Sequence, residues 1–301
     1  MKARWIHNNQ IDVAKWDELV NADDDATIFS TSHYLNATCK DWYAFLPDDY
    51  SFGFALGSTN ILGVDNANPP FFHRYAEFIG ESEQIDISQF VTSMQETFKG
   101  GIIHTKTKLE GIEPADAYVH QVLTADDFKL KSQAKRMLKK FNSSTLNIEF
   151  DNKSSSQVLK LIKDELSKKM DLYSSESANA LDRLVTNPSK EIELITAVLK
   201  SENDLVGGLL ALEYKSTVLF LKGTTAESAK EEGGMYALMN ELIKYTFEKE
   251  KTFDFGGSRV KGVRFFNTRF NAQDKTYFCY EWNNNPVWYK LLKKMNRWRK
   301  K

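Results

Sequence analysis

The residues whose types and spacing suit chemistry gather in the second half of the chain. Gly233-Gly234 stands between a predicted strand and a predicted helix. Small residues at a helix N-terminus let backbone N–H groups approach a phosphate, although a plain helix-entry turn uses the same pair. Phe255-Gly256-Gly257-Ser258 closes a short predicted strand. Its glycines permit positive φ and close backbone approach at a strand end, where open sheets bind ligands; a sharp structural turn is the competing reading. The last segment, Lys290 to Lys301, holds seven cations in 12 residues and interleaves them with Leu291, Leu292, Met295 and Trp298. Such an amphipathic basic helix suits tRNA phosphates or an anionic membrane surface, or simply docks with a solvated basic face. The five histidines, at 7, 33, 73, 104 and 120, are scattered without HExxH or a Ser/His/Asp order, and read individually as surface or core residues. Cys39 and Cys279 have no metal-ligand spacing, so neither a zinc site nor a disulfide framework is expected, and no metal is assigned.

Bulk properties frame these motifs. The chain has 301 residues, 42% hydrophobic and 27% charged, which fits a globular protein of about two domains. The net charge of −1 hides a dipole. Residues 1–124 carry 8 basic and 18 acidic side chains, a net of −10, and residues 125–301 carry 32 and 23, a net of +9. The near-neutral total therefore does not exclude a polyanionic partner. The N-terminus lacks the apolar core of a signal peptide, and no run of 18 apolar residues exists, so a cytoplasmic protein without a transmembrane segment is expected.

Periodicity supplies the elements that must hold the motifs. In the first half it predicts a helix over 12–20, a second entered through Ser30 or Thr31, a strand over 51–56, a helix marked by Phe90, Val91, Met94 and Phe98, and a strand over 102–109. From there it predicts a strand over 118–123 and a helix starting at Thr124-Ala-Asp-Asp. The stripe Ala134, Met137, Leu138, Phe141 follows, then a strand over 146–150, a long helix from Val158 to Tyr173 and a shorter one over 180–185. Strands over 192–199, 205–214 and 217–222 form a meander. A helix from Gly233-Gly234, the strand Phe253-Asp-Phe, a helix marked by Val263, Phe266 and Phe270, the strand 277–282 and a last helix from Val287 to Trp298 complete the chain. Alternating helices and strands around a meander predict an α/β protein with mixed sheets flanked by helices, divided into 1–124 and 125–301.

Several of these segments together resemble the Fem-type branch of the GNAT N-acyltransferase superfamily. Phe253-Asp-Phe-Gly-Gly-Ser with Gly262-Val-Arg-Phe-Phe-Asn-Thr-Arg-Phe is similar to that branch's glycine-rich segment. Phe29-Ser-Thr-Ser-His-Tyr-Leu resembles an early family segment, Ser132-Gln-Ala-Lys-Arg-Met-Leu-Lys-Lys a basic helix, and Gly207-Gly-Leu-Leu-Ala-Leu with Phe220-Leu-Lys-Gly-Thr-Thr the central strands. The resemblance implies two GNAT-like domains and acyl transfer to an amine, with acyl-CoA or aminoacyl-tRNA as co-substrate. The acceptor would be a small molecule or peptide, in particular a cell-envelope (peptidoglycan) precursor.

It also implies roles for individual residues. Glu213, at the end of the 205–214 strand, falls where the fold often places a base, and a carboxyl of raised pKa could take the amine proton; a solvated strand end is the alternative. Lys230, Gly233 and Gly234 fall at the acyl-donor position, with Met235 in place of a small residue and Glu231 and Glu232 repelling pyrophosphate. Phe266 occupies the place of a Tyr that protonates a leaving thiolate, and Asn267 that of a Lys that stabilises developing charge. Arg264 and Arg269 are nearby cations able to substitute, while a core Phe266 beside an exposed Asn267 is the structural alternative. Phe29, Ser32, Tyr34, Phe255, Gly256, Gly257, Ser258 and Phe266 are the substrate-binding candidates. With Tyr and Lys both replaced, a catalytically inactive GNAT-fold binding protein and an acetyl-CoA-dependent small-molecule acetyltransferase are the competing functions.

Overall fold

The computed structural model describes residues 3–169, 175–187, 189–257 and 260–291. The chain divides into two compact units: residues through Tyr118 together with those from Tyr277 onward, and Val119–Thr276. The sequence suggests one boundary at 124, whereas the chain changes unit at two points, and each lies inside a strand.

In the first unit the strands are β1 (Arg4–His7), β2 (Asp41–Leu46), β3 (Phe52–Ile61), β4 (Val64–Ala67), β5 (Phe78–Gly80) and β6 (Gly100–Thr105), flanked by α1 (Val13–Ala22), α2 (Ser32–Thr38) and α3 (Ile87–Thr97). They lie in the order β1-β2-β3-β4-β6, with β5 on β3. The chain leaves the unit along β7 (Asp116–Leu123). Asp12 caps α1 by accepting from the N–H groups of Ala14 and Lys15, and Asp86 caps α3 in the same way. Trp16 and Val20, four apart on α1, bury one helical face against Trp42, Ala44 and Ile79. A second cluster joins Phe45, Phe54, Phe90, Met94 and Phe98, so much of the aromatic excess is core.

The second unit holds α4 (Ser132–Phe141), β8 (Leu146–Phe150), α5 (Ser155–Lys169), α6 (Ser175–Thr186), β9 (Glu193–Ser201), β10 (Asp204–Tyr214), β11 (Thr217–Thr225), α7 (Glu227–Glu231), α8 (Gly234–Glu248), β12 (Thr252–Gly257) and α9 (Lys261–Asn267). Its strands run β7-β12-β11-β10-β9-β8. All neighbours are antiparallel except β11 and β12, which α8 joins as a parallel crossover. Leu209, Ala211, Val218, Phe253 and Phe255 point to one face, where Leu238, Leu242 and Ile243 of α8 cover them. The residues between them point to the opposite face, against α5: a side chain at Gly208 would strike Val158 of that helix. From α9 a short 3-10 turn leads into β13 (Gln273–Asn283), whose second half pairs antiparallel with β6 and returns the chain to the first unit.

Two differences from the sequence reading have simple causes. No helix starts at Thr124: the Thr124 hydroxyl donates to Asp127, and the N–H of Lys131 donates to the carbonyl of Arg269. The capping chemistry is spent on a turn, and the following residues pair with another segment until α4 begins. The helix marked by Val263, Phe266 and Phe270 stops at Asn267 and leaves Val263 40% exposed. The last helix is described only through Leu291, so most of the basic segment 290–301 lies outside the described residues. Among the described residues no helix is long and apolar enough to cross a membrane, and no group of three or more His, Cys, Asp or Glu is placed to hold a metal ion.

Candidate active site

The polar centre of the second unit is a pair that sequence spacing does not reveal. Asp254 sits on β12 between Phe253 and Phe255, which both turn into the α8 core, so alternation sends its carboxylate to the α5 face. There the Nδ1 of His120, on β7, lies 3.7 Å from its Oδ2, with both side chains under a tenth exposed. The other carboxylate oxygen accepts from the N–H of Gly256 at 2.9 Å. Gly256 has φ 71°, and a side chain there would lie 2.9 Å from the Phe220 carbonyl. The irregular stretch Asp254–Gly257 thus bends β12 around the carboxylate and sets Gly257 opposite His120. A carboxylate facing an imidazole is an arrangement in which an oriented ring can serve as a general base.

The sequence-derived candidates fall in several places. Glu213 lies on the other face of the sheet, paired with Val218 of the α8 core. Its carboxylate accepts from Lys251 at 2.6 Å, Lys249 at 2.7 Å and the Tyr245 hydroxyl at 3.4 Å. Burial alone would raise this carboxyl, but the hydrogen bonds and charges of the two lysines hold it below the usual glutamate range. The raised pKa expected of a base is therefore not found, because two ammonium groups keep the anion ionised. Asn267 is 3% exposed rather than solvated, and its side-chain amide makes no hydrogen bond among the described residues. The Phe266 ring lies 4.7 Å from Tyr236, tilted, and 5.5 Å from Phe270, edge to face, and packs against the α8 core. Arg264 is paired with Asp274, and the Arg269 guanidinium lies 3.6 Å over the ring of Phe265.

At the donor-loop candidates the two glycines pack closely against neighbouring elements on their Cβ side. Gly233 caps α8 in the left-handed region at φ 89°, and a side chain there would run into the Met137 carbonyl of α4. One at Gly234 would meet Leu199 and the Ala229 carbonyl. Lys230 is exposed and bonded to Glu227 at 3.0 Å. These glycines admit neighbouring elements. Phe255 is core, and Ser258 lies outside the described residues.

The first-unit candidates are internally bonded. Ser32 donates to Asp17 at 2.5 Å, and the Tyr34 hydroxyl donates to the Phe72 carbonyl at 2.7 Å. Phe29 meets Tyr34, His73 and Tyr75 at 5.1–5.4 Å, under the Arg74 guanidinium. His73 bonds the Phe29 carbonyl, and burial pushes its pKa down to about 4, so the ring is neutral at pH 7. Beneath them Glu77 accepts from the Thr27 N–H, the Thr27 and Ser30 hydroxyls and Lys106.

Comparison with known proteins identifies the architecture. No protein-family model and no curated protein matches the sequence. Among solved structures the chain is similar to FemX, with 12% identity, a TM-score of 0.62 and coverage of 94% of this chain and 98% of that one. It is similar to the C-terminal domain of a putative lysylphosphatidylglycerol synthetase from Agrobacterium fabrum, with 12% identity, a TM-score of 0.60 and coverage of 92% of each. It is also similar to a tandem GNAT protein from the clavulanic acid biosynthesis pathway, with 8% identity, a TM-score of 0.50 and coverage of 95% and 100%. The chain has a Fem-like tandem GNAT fold.

Proposed function

We propose that the protein is an N-acyltransferase that moves an acyl or aminoacyl group onto the amine of a cell-envelope precursor or a related small molecule. The buried His120–Asp254 pair carries this reading. An amine attacks a carbonyl only as the free base, so the site must accept a proton as the C–N bond forms. His120 takes it, and Asp254 stabilises the resulting imidazolium. The tetrahedral adduct then collapses, the bond to the leaving group breaks with its electron pair, and the imidazolium returns the proton to that group. This removes the need for a phenol at position 266. The Asn267 amide is a candidate hydrogen-bond donor to the developing oxyanion.

The donor is an acyl-CoA or an aminoacyl-tRNA, and the basic segment 290–301 is suited to tRNA or to an anionic membrane surface. Calorimetric titration with acetyl-CoA, CoA and aminoacyl-tRNA separates them. Saturable CoA binding supports acetyl transfer, and salt-sensitive binding of tRNA alone supports aminoacyl transfer. A second reading, a GNAT-fold binding protein without turnover, is favoured by the replacement of the expected Tyr and Lys by Phe266 and Asn267. Absence of binding by all three donors would select it. We place the protein in the cytoplasm, where either donor is found.

A further inference from the structure

We propose that Lys222 is an anion-binding residue, whose ammonium receives a carboxylate or phosphate group of the substrate on the α5 face of the second unit. Three geometric observations carry this. First, β11 is bulged at this point: Leu210 pairs with Lys222 but Ala211 pairs with Phe220, so Leu221 is an extra residue. A bulge re-aims the side chain beside it. Second, Lys222 shares the face of its partner Leu210, and alternation from Gly208 puts that face against α5. Asp254 lies on the same face, because it pairs with Leu219, which pairs with Leu212. Along β11, Lys222 is three residues beyond Leu219, about 10 Å at strand rise. Third, the parallel pairing of β11 with β12 covers Thr217–Leu219, whereas β11 continues to Thr225. The lysine therefore stands on the part of the strand beyond that ladder.

The charge itself needs an explanation. Lys222 is half-buried in a strand of Leu, Phe and Gly, and its ammonium has no hydrogen bond or ion pair among the described residues. Other lysines of this unit that enter the structure are bonded: Lys163 to Asp182, Lys200 to Glu149, and Lys249 and Lys251 to Glu213. Burial holds the Lys222 ammonium below the usual lysine range, with no compensating charge. A desolvated cation without a counter-ion is costly to the free protein, and an arriving anion recovers that cost. A substrate with its amine at His120 on β7 and an acidic group reaching across β12 to β11 would span the two positions.

The proposal deepens the acyltransferase reading by naming an acidic substrate group, and it rests on that reading for the reaction. Its test reads binding without turnover. The full-length protein and its Lys222→Gln and Lys222→Arg variants are titrated calorimetrically with succinate and with inorganic pyrophosphate, at two salt concentrations. Charge-assisted hydrogen bonds predict about a tenfold or larger loss of affinity in Lys222→Gln and near-parent affinity in Lys222→Arg. The probe affected identifies the group as carboxylate or phosphate. Lys222→Met controls for folding, and its melting temperature is expected to equal or exceed the parent's. Failure of both probes to bind the parent, or equal binding by Lys222→Gln, overturns the proposal. A Lys222→Met protein that melts lower while Lys222→Gln binds both probes normally assigns the side chain to packing. Any of those failures leaves the transfer reading to be judged on His120 and Asp254.

Discussion

The Nδ1 of His120 lies 3.7 Å from a carboxylate oxygen of Asp254 across the β7–β12 ladder, with both side chains almost wholly enclosed. The separation is slightly beyond a hydrogen bond, as in many sites that tighten only around substrate. If this pair is the base, Asp254→Asn slows turnover by about 10²–10⁴-fold, because the ring loses both its orientation and the partner of its charged form. His120→Gln has a similar cost, and the double variant is little worse than either alone, since the residues act as a unit. Steady-state amide formation with saturating donor measures this. Strictly additive losses would mean that the two residues act separately.

The strands that carry this pair are legible in the sequence, whereas the pair is not. The predicted strands 118–123 and 253–255 fall within β7 and β12, and the 146–150 and 205–214 strands also follow from alternation, whereas β11 runs three residues past the predicted 217–222. In contrast, β1, β4 and β5 are 3 or 4 residues of mixed character, Arg-Trp-Ile-His, Val-Asp-Asn-Ala and Phe-Ile-Gly. They are strands because long-range partners complete their backbone bonds, which no local pattern records. His120 and Asp254 belong to strands distant in sequence and brought together only by the sheet. The one local signal is an acid between two phenylalanines that must both be buried. Glu213 misleads for the converse reason: its strand lies where alternation predicts it, but Lys249 and Lys251, which decide its charge state, lie at the end of α8 and just beyond it.

Glu213 is expected to act on stability and not on turnover. Glu213→Gln leaves two ammonium groups with a neutral partner and costs about 1–3 kcal/mol, less than a fully buried pair because the lysines are partly exposed. Its folded-state pKa lies below the unfolded value. The carboxylate's contribution is therefore present above the ordinary glutamate range and is lost as pH falls through the lowered folded value. Urea denaturation at pH 7 and pH 4 should show a difference between parent and variant that shrinks at the lower pH. A variant with parent stability but turnover slowed about a hundredfold would restore Glu213 as the base.

His73 gives the first unit an acid-sensitive element. Its folded pKa of about 4 lies below the ordinary histidine value of 6.5, so the unfolded chain takes up a proton that the native ring refuses. Stability contributed by the neutral ring is complete above about pH 6.5 and is lost as pH falls toward 4, by up to about 3 kcal/mol. The ring keeps some accessible surface, which makes that figure an upper bound. His73→Phe should flatten this part of the stability–pH curve while losing the bond to the Phe29 carbonyl at all pH values. Parallel curves for parent and variant between pH 7 and 4 would show that folding does not change the ring's affinity for a proton.

Two glycines in the second unit should respond in opposite directions to the same substitution. Gly233 has φ 89° and packs against the Met137 backbone, so alanine there is strained and displaces α4 from the N-terminus of α8. Gly233→Ala is expected to cost about 2 kcal/mol or more, since the left-handed conformation alone costs an L-residue about 1–2 kcal/mol. Gly262 lies within α9, is exposed, and leaves open space for a methyl group, with no atom within 4 Å of where it would sit. Gly262→Ala should stabilise that helix by about 0.5–1 kcal/mol. Thermal melts of the two variants decide the matter. If Gly233→Ala melts with the parent but loses affinity for CoA, the loop is a donor site and its close packing against α4 is not what selects glycine there.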